Sequence, residues 1–268
     1  MLDQTFIADT RLQAQRLEVS VALLEDAVRC GDLEQIAVHL SAGISPNSRT
    51  TSYGDLVATA VFEQQIGSLS ALLTAGGAPD STDVSGVSAL ARAASYGRID
   101  IVQLLLAHGV SLSPQDDHPF NDPAWAAAFS GQASMLLFLF KQGFTVDLID
   151  VSGRTPLMIA AKHGHTDCVR DCLAYGADIN AQDYTQGFTS AMFALKAQGT
   201  TMSALCEHGF DPSCMAQLGY TVADLADLNP MSPGALIFSA WRLALAESEN
   251  LTSTLDAPEA PSMGRVRL

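Results

Sequence analysis

The sequence has few cations and no long apolar run. Its 268 residues include 14 Lys and Arg against 29 Asp and Glu, which gives a net charge of −15. This charge would repel nucleic-acid phosphates and anionic lipid headgroups, and it favours either a basic protein partner or simple solubility. No stretch approaches the roughly 20 apolar residues that span a bilayer. The start of the chain also lacks the basic and apolar regions of a secretory signal, so we expect a cytoplasmic protein that binds neither nucleic acid nor membrane.

Cysteine and lysine are also scarce. An odd number of scattered cysteines indicates reduced thiols rather than a disulfide framework. They are Cys30, Cys168, Cys172, Cys206 and Cys214. The chain has three lysines beside eleven arginines in an alanine-rich background, a composition that indicates a GC-rich bacterial genome.

Glycine, in contrast, recurs at a fixed interval. The spacing is 33 or 34 residues through Gly43, Gly76, Gly109, Gly143, Gly176 and Gly209. A period of this length is typical of a stack of similar units, in which each unit buries its apolar face against its neighbours.

The clearest unit runs from Asp150 to Asp183. Thr155 can cap a helix and Pro156 suits its first turn, where a missing N–H costs nothing. Gly164 can end that helix in a left-handed conformation, which Gly adopts without strain. An apolar stripe then predicts a second helix, which ends at Gly176. Each unit is therefore predicted to be two short helices followed by an extended turn.

This unit closely resembles the ankyrin repeat family. The residues that carry the likeness are Asp150, Gly153, Thr155-Pro156-Leu157, Ala160-Ala161, Gly164-His165 and Gly176-Ala177-Asp178. The resemblance covers roughly Glu25 to Leu228 and implies an all-α, ankyrin-repeat solenoid of about six helix-turn-helix units with helical caps. The family's histidine after the leucine is replaced by Met158 here and by Trp125 in the preceding unit. Because that histidine ties adjacent loops in the family, we expect distorted outer units.

The chain divides into four regions on this interpretation. Residues 1–24 form an N-terminal capping helix region, 25–228 the ankyrin repeat array, 229–247 a C-terminal capping helix, and 248–268 a disordered tail rich in Ser, Thr and Pro. The predicted C-terminal cap covers the last unit with the apolar residues Leu236, Ile237, Trp241, Leu243 and Leu245.

Catalytic and metal-binding patterns are weak. His163, His165, Cys168 and Cys172 are four possible zinc ligands within ten residues, but Cys172 falls on the buried stripe of a repeat helix. Asp116, Asp117 and His118 lie together without a partner that would complete an acid–base site. We therefore predict no enzyme, no cofactor and no metal.

A partner is expected on the positions that the repeat leaves free. In the ankyrin family these are the loop tips and the ends of the first helices, which line a concave groove. Aromatic residues there are suited to binding hot spots, while acidic residues would favour a basic partner. The candidate residues are Phe62, Tyr96, Asp116, Asp117, Phe120, Trp125, Phe129, Arg154, His163, Tyr184 and Gln186. For Trp125 and Phe129 the alternative is that they fill space left by the missing histidine.

The leading functional hypothesis is a monomeric, non-catalytic module that binds another protein. One specific version is a bacterial immunity or inhibitor protein that neutralises a basic toxin or nuclease. The alternatives are a general intracellular scaffold or regulatory adaptor, and a metal-binding protein or enzyme built on His163, His165, Cys168 and Cys172.

Overall fold

The computed structural model describes residues 20–50, 52–110, 121–197 and 199–255. The regular secondary structure in these ranges is helical, and their only extended pairings are two isolated bridges, Arg49 with Asp55 and Thr82 with Ser88. The helices in chain order are α1 (20–30), α2 (Leu33–Ser41), α3 (Leu56–Phe62), α4 (Ile66–Thr74), α5 (Ala89–Ser95), α6 (Ile99–Ala107), α7 (Pro123–Ser130), α8 (Ala133–Lys141), α9 (Pro156–His163), α10 (Thr166–Ala174), α11 (Ser190–Ala194), α12 (Gly199–Glu207), α13 (Val222–Leu228) and α14 (Pro233–Leu255).

Consecutive helices form six pairs, from α1–α2 to α11–α12, and α13 and α14 follow the last pair. This confirms the predicted all-α stack of helix-turn-helix units. The first helices α3, α5, α7, α9 and α11 pack on one another more extensively than the second helices do. Their many alanines allow this close approach, and one hydrophobic core runs from Leu24 in α1 to Phe238 in α14.

Side-chain caps fix where the first helices begin. Asp55, Ser88, Asp122 and Thr155 each precede a first helix, and each accepts a hydrogen bond from the backbone N–H three residues further on. Such a cap satisfies a donor that the helix itself leaves unpaired. The four helices therefore begin in the same register, one unit after another.

The units are tied together without the family's histidine. Met158 and Trp125, which occupy its position, are both buried. Instead, the side chain after each interhelical turn approaches a backbone carbonyl of the preceding unit. These contacts are Gln65 with Arg29, Arg98 with Gln64, Gln132 with Ser95 and His165 with Phe129, at 3.1–3.3 Å. The sixth unit departs from the others in its first helix, since α11 is only five residues long.

Both predicted ends of the array need correction. Helix α1 crosses the boundary placed at residue 24, because Leu24, Ala27 and Val28 form one buried stripe on it. Residues 1–19 of the predicted N-terminal cap lie outside the described residues.

At the other end, α14 continues to Leu255 rather than stopping at residue 247. No proline interrupts the sequence after Pro233 until Pro258, so nothing stops the helix where the tail was predicted to begin. The inward face of α14 consists of Ala235, Phe238 and Trp241, while Leu236 and Leu243 are exposed. Residues 256–268 of the predicted tail lie outside the described part of the chain.

Candidate partner-binding surface

The C-terminal ends of the first helices lie side by side along one face of the stack. The turns that precede the first helices border this face. We call the surface formed by the ends of α3, α5, α7 and α9 and by the turns at residues 83–88, 150–155 and 183–189 the groove. It contains most of the described candidate residues.

Aromatic or imidazole rings occupy one of two adjacent positions in four successive units. Phe62 and Phe129 lie seven residues after the N-cap of their helix, and Tyr96 and His163 lie eight residues after theirs. Phe62, Tyr96, Phe129 and His163 are spaced by 34, 33 and 34 residues, and each lies within about one residue of the end of a first helix. The rings of Phe62 and Tyr96 meet edge to face with centroids 6.2 Å apart, and those of Phe129 and His163 do so at 4.7 Å. Such pairs are favourable beyond their buried area. We call these four residues the ring row.

Phe129 is the most exposed aromatic side chain of the row. It is 42% exposed, although its ring contacts Trp125 on one side and His163 on the other. Burial, followed by the nearby Lys162, lowers the pKa of His163 below its ordinary value. His163 is therefore largely neutral at physiological pH, so it presents an aromatic surface rather than a charge.

Trp125 lies inside the stack rather than on its surface. It is 3% exposed, and its ring stacks on Phe129 at a centroid distance of 5.4 Å. Its position in α7 corresponds to that of Met158 in α9, which is also buried. Trp125 therefore takes the space-filling role, and it supports the ring of Phe129 from inside.

The turns at residues 150–155 and 183–189 hold three further candidates. Arg154 forms an ion pair of 2.8 Å with Asp150 and is half-buried. Tyr184 is 64% exposed, and its ring covers Gly153 so closely that a Cβ there would lie 2.5 Å from it. Gln186 is exposed, and its carbonyl oxygen accepts a 2.8 Å hydrogen bond from the N–H of Gln217. Tyr184 therefore presents most of its ring to solvent from a fixed turn.

The predicted acidic residues lie outside the described part of the chain, shortly before Asp122 in the sequence. These are Asp116 and Asp117; Phe120 also lies outside it, and Asp122 is the N-cap of α7. Burial raises the pKa of Asp122 to about 6, partly offset by hydrogen bonds from the N–H groups of Trp125 and Ala124. Asp122 therefore stabilises a helix start and is not a surface acid.

A pocket of about 460 Å³ opens between α5 and α7, next to Tyr96 and Phe129 of the ring row. Ala91 and Ala126 contribute to its lining from the helices, and Tyr96 and Phe129 do so from the ring row. Arg92 and three serines, Ser85, Ser95 and Ser130, add polar groups. Sequence reasoning missed this pocket, because it lies where alanines leave space rather than where a distinctive residue stands.

Arg92 is held in place by two neighbours. Its Nη2 donates to Asp83 Oδ2, and its guanidinium lies 6.0 Å from the centroid of the Phe62 ring. Its Nε is buried and meets no hydrogen-bond acceptor in the described chain. The one available signal in the sequence was a single cation within the alanine-rich helix α5.

Charge is segregated across the groove. Asp83, Asp150 and Asp183 turn inward, where their carboxylates accept hydrogen bonds from the backbone N–H groups of their own turns. Lys162 and Lys196 are exposed and form no ion pair with any described residue. Lys162, at the end of α9, is therefore the groove cation that is not ion-paired within the described chain, while Lys196 follows α11 and lies outside the groove.

The four possible zinc ligands are not brought together. Cys168 and Cys172 lie in the core, where burial raises the pKa of the Cys168 thiol to about 12 and that of Cys172 well above its ordinary value. The rings of His163 and His165 stack on the groove side instead. Among the described residues, no group of three or more His, Cys, Asp or Glu side chains is arranged to hold a metal ion.

Comparison with known proteins gives two matching family descriptions. The description "Ankyrin repeats (3 copies)" matches residues 123–216, and "Ankyrin repeat" matches residues 85–117. None of the helices in the described ranges is both long and apolar enough to cross a bilayer.

Individual relatives and a solved structure agree with these matches. Cyclin-dependent kinase 4 inhibitor B of Rattus norvegicus is 31% identical over 114 residues, which cover 42% of this chain and 87% of that protein. Protein PhlB of Serratia liquefaciens is 34% identical over 143 residues, 52% of this chain and 61% of the relative. The human ASB11 ankyrin repeat domain superposes with a TM-score of 0.72 at 21% identity and covers 81% of this chain and 96% of that structure.

Proposed function

The chain belongs to the ankyrin repeat family, and we propose that it is a non-catalytic module that binds a partner protein in the groove. The observation that carries this proposal is the ring row, which keeps Phe129 and His163 exposed on a fixed face of the stack. Rigid rings bury a large area at a low cost in side-chain entropy, which makes them effective binding anchors.

The titratable groups around the groove support binding rather than catalysis. Asp83 and Asp150 are ion-paired within their own turns, and Asp122 caps a helix. General acid–base chemistry needs a titratable group within reach of the substrate. In these three carboxylates the oxygens are already used to hold the turns and the helix start.

Within this function, we propose that the chain acts as a monomeric inhibitor of its partner. One relative is named as an inhibitor of a kinase, and the Serratia relative is bacterial. The first likeness supports an inhibitory role. A cytoplasmic protein that neutralises a toxin would be the bacterial form of such an inhibitor.

The chain favours one sign of partner charge at long range and the opposite sign at the contact surface. The net charge of −15 favours a basic protein at long range. Charges more than about 8 Å away are strongly screened at physiological salt, so the contact itself depends on the local cations of the groove. We propose that the segment entering the groove is acidic, whatever the charge of the rest of the partner.

The proposal is tested by site-specific photo-cross-linking in the native host. A photoreactive phenylalanine analogue replaces Phe129, Tyr184 or, as the control, Tyr175, which follows the second helix α10 on the other layer of the stack. We expect the same protein to be cross-linked from positions 129 and 184 and not from 175. Equal cross-linking from position 175, or none from the two groove positions, contradicts the proposal. If the captured partner is an enzyme, we expect an equimolar amount of the chain to abolish its activity.

A further inference from the structure

We propose that the pocket between α5 and α7 binds a bulky apolar side chain of the partner, preferably aromatic, and that Arg92 binds an adjacent carboxylate. This inference rests on the proposed function, because it names the chemistry of the segment that enters the groove. It adds an anchor residue and a charge requirement to that function.

The walls of the pocket favour a ring. Tyr96 and Phe129 line it from neighbouring units, and the methyl groups of Ala91 and Ala126 come from the helices. The rings of Phe62 and Tyr96 form one contact pair and those of Phe129 and His163 another, with the pocket between the two pairs. A partner ring placed there would lie against both Tyr96 and Phe129. A volume of about 460 Å³ is ample for one large side chain.

The polar group in the pocket favours an acceptor. The Nε of Arg92 is buried without an acceptor, although its Nη2 is paired with Asp83. A buried donor without a partner is unfavourable. The Arg92 side chain therefore gains free energy if it turns toward the pocket, where an arriving oxygen can accept from the Nε that is now enclosed. A carboxylate is the preferred acceptor, because hydrogen bonds between two charged groups are stronger than neutral ones.

The charges around the pocket agree with this assignment. Asp83 and Asp150 face their own turns and are paired with arginines, while Lys162 is exposed on the ring-row side of α9. An ammonium or guanidinium group entering the pocket would meet Arg92 and no free carboxylate among the described lining residues. The occupant is therefore an acidic and aromatic segment of another protein rather than a basic one.

A matched pair of small probes separates the ring from the charge. We suggest ¹⁹F NMR titrations of the full chain with 5-fluoroindole-3-acetate and with 5-fluorotryptamine, which share the indole ring and carry opposite charges. The carboxylate probe is expected to bind in the millimolar range typical of fragments of this size. It should bind at least about fivefold more tightly than the ammonium probe, and this preference should shrink as salt is raised.

Variants assign the binding to the named groups. Phe129→Ala should weaken both probes, and Tyr175→Ala, on the second-helix side, should change neither. The double variant Arg92→Gln with Asp83→Asn removes the cation without leaving a buried carboxylate unpaired, and it should lose the charge preference while still binding the ring. Asp83→Asn alone should keep the preference. If the double variant does not fold by circular dichroism, Arg92→Lys keeps the charge but lacks the Nε donor, and it should reduce the preference.

Three results would overturn the inference. They are the binding of neither probe, equal or stronger binding of the ammonium probe, and binding that is unchanged in Phe129→Ala. Probe binding requires no partner, so the two proposals fail separately. Normal cross-linking of a partner with equal binding of both probes removes the pocket assignment alone. The expected probe preference without any groove-specific partner removes the proposed function and leaves the pocket.

Discussion

Replacing Phe238 by alanine should unfold the C-terminal end of the stack and leave the other end intact. Phe238 is 1% exposed, and its ring centroid lies 6.0 Å from that of Phe210 and 5.9 Å from that of Trp241. It joins α14 to the loop that follows α12, so the last complete unit loses its cover when the ring is removed. Removing a buried phenylalanine side chain of this kind costs about 3–5 kcal/mol.

The location of the effect is as informative as its size. In a stacked array each unit contacts only its neighbours, so the lost free energy is felt at the end of the stack and not throughout it. Hydrogen exchange measured by mass spectrometry follows this directly. Amides of α12 and α13 should exchange at least about a hundredfold faster, because about 3 kcal/mol corresponds to two orders of magnitude. Amides of α3–α6 should be unchanged.

Leu236→Ala is the matched control on the same helix. Leu236 is 51% exposed, so its truncation removes little buried area and should cost less than about 1 kcal/mol. A uniform rise in exchange from α3 to α13 in Phe238→Ala would refute the reasoning, as would equal effects of the two variants. Either result would mean that the chain unfolds as one unit or that α14 does not cap it.

Three further predictions concern the tie between units, a helix cap and a strained turn. Asn121→Ala should lower the free energy of unfolding by about 2–3 kcal/mol in denaturant titrations, because Asn121 accepts from the N–H of Ser88 at 2.6 Å and donates to the carbonyl of Gly86 at 3.1 Å. A loss below about 0.5 kcal/mol, the size of an ordinary surface change, would contradict it. Because burial raises the folded-state pKa of Asp122 from 3.8 to about 6, the stability that its protonated form contributes is present below pH 3.8 and is lost as the pH rises through about 6. Asp122→Asn keeps a capping oxygen and should remove up to roughly 3 kcal/mol of this pH dependence of the unfolding free energy, measured by denaturant titration from pH 4 to 7. Parallel pH profiles of the two proteins would show that the pKa of the carboxyl is not raised. Gln64→Gly should raise the unfolding free energy by about 1 kcal/mol, because Gln64 has a φ of 57° in a left-handed turn; a fall in the melting temperature would count against this strain.

Periodicity explains most of what the sequence could predict. The glycines at 33- or 34-residue intervals located the six helix pairs, and the cap Thr155 located the start of one first helix. The same period also indicates that Trp125 is buried. Trp125 occupies the position of Met158, whose place on the apolar stripe of α9 indicates burial for both.

The ends of the array were harder to predict, because they have no neighbouring unit with which to compare the pattern. In α14 the larger apolar residues Leu236 and Leu243 suggested the buried face, but Ala235 and Phe238 face the core. Buried faces are chosen by fit as well as by hydrophobicity, and a small residue allows close approach where a leucine does not. The pocket was unpredictable for a similar reason, since it depends on the space above Ala91 and Ala126.

Hydrogen exchange of the chain, alone and in non-covalent complex with the partner identified by cross-linking, is the most direct test of the groove as the binding surface. The proposed function predicts slower exchange at the C-terminal ends of α5, α7 and α9 and in the turns at residues 150–155 and 183–189. The second helices α6, α8 and α10 should exchange as they do in the free chain. Protection confined to those second helices or to α14, with the groove unchanged, would contradict the account.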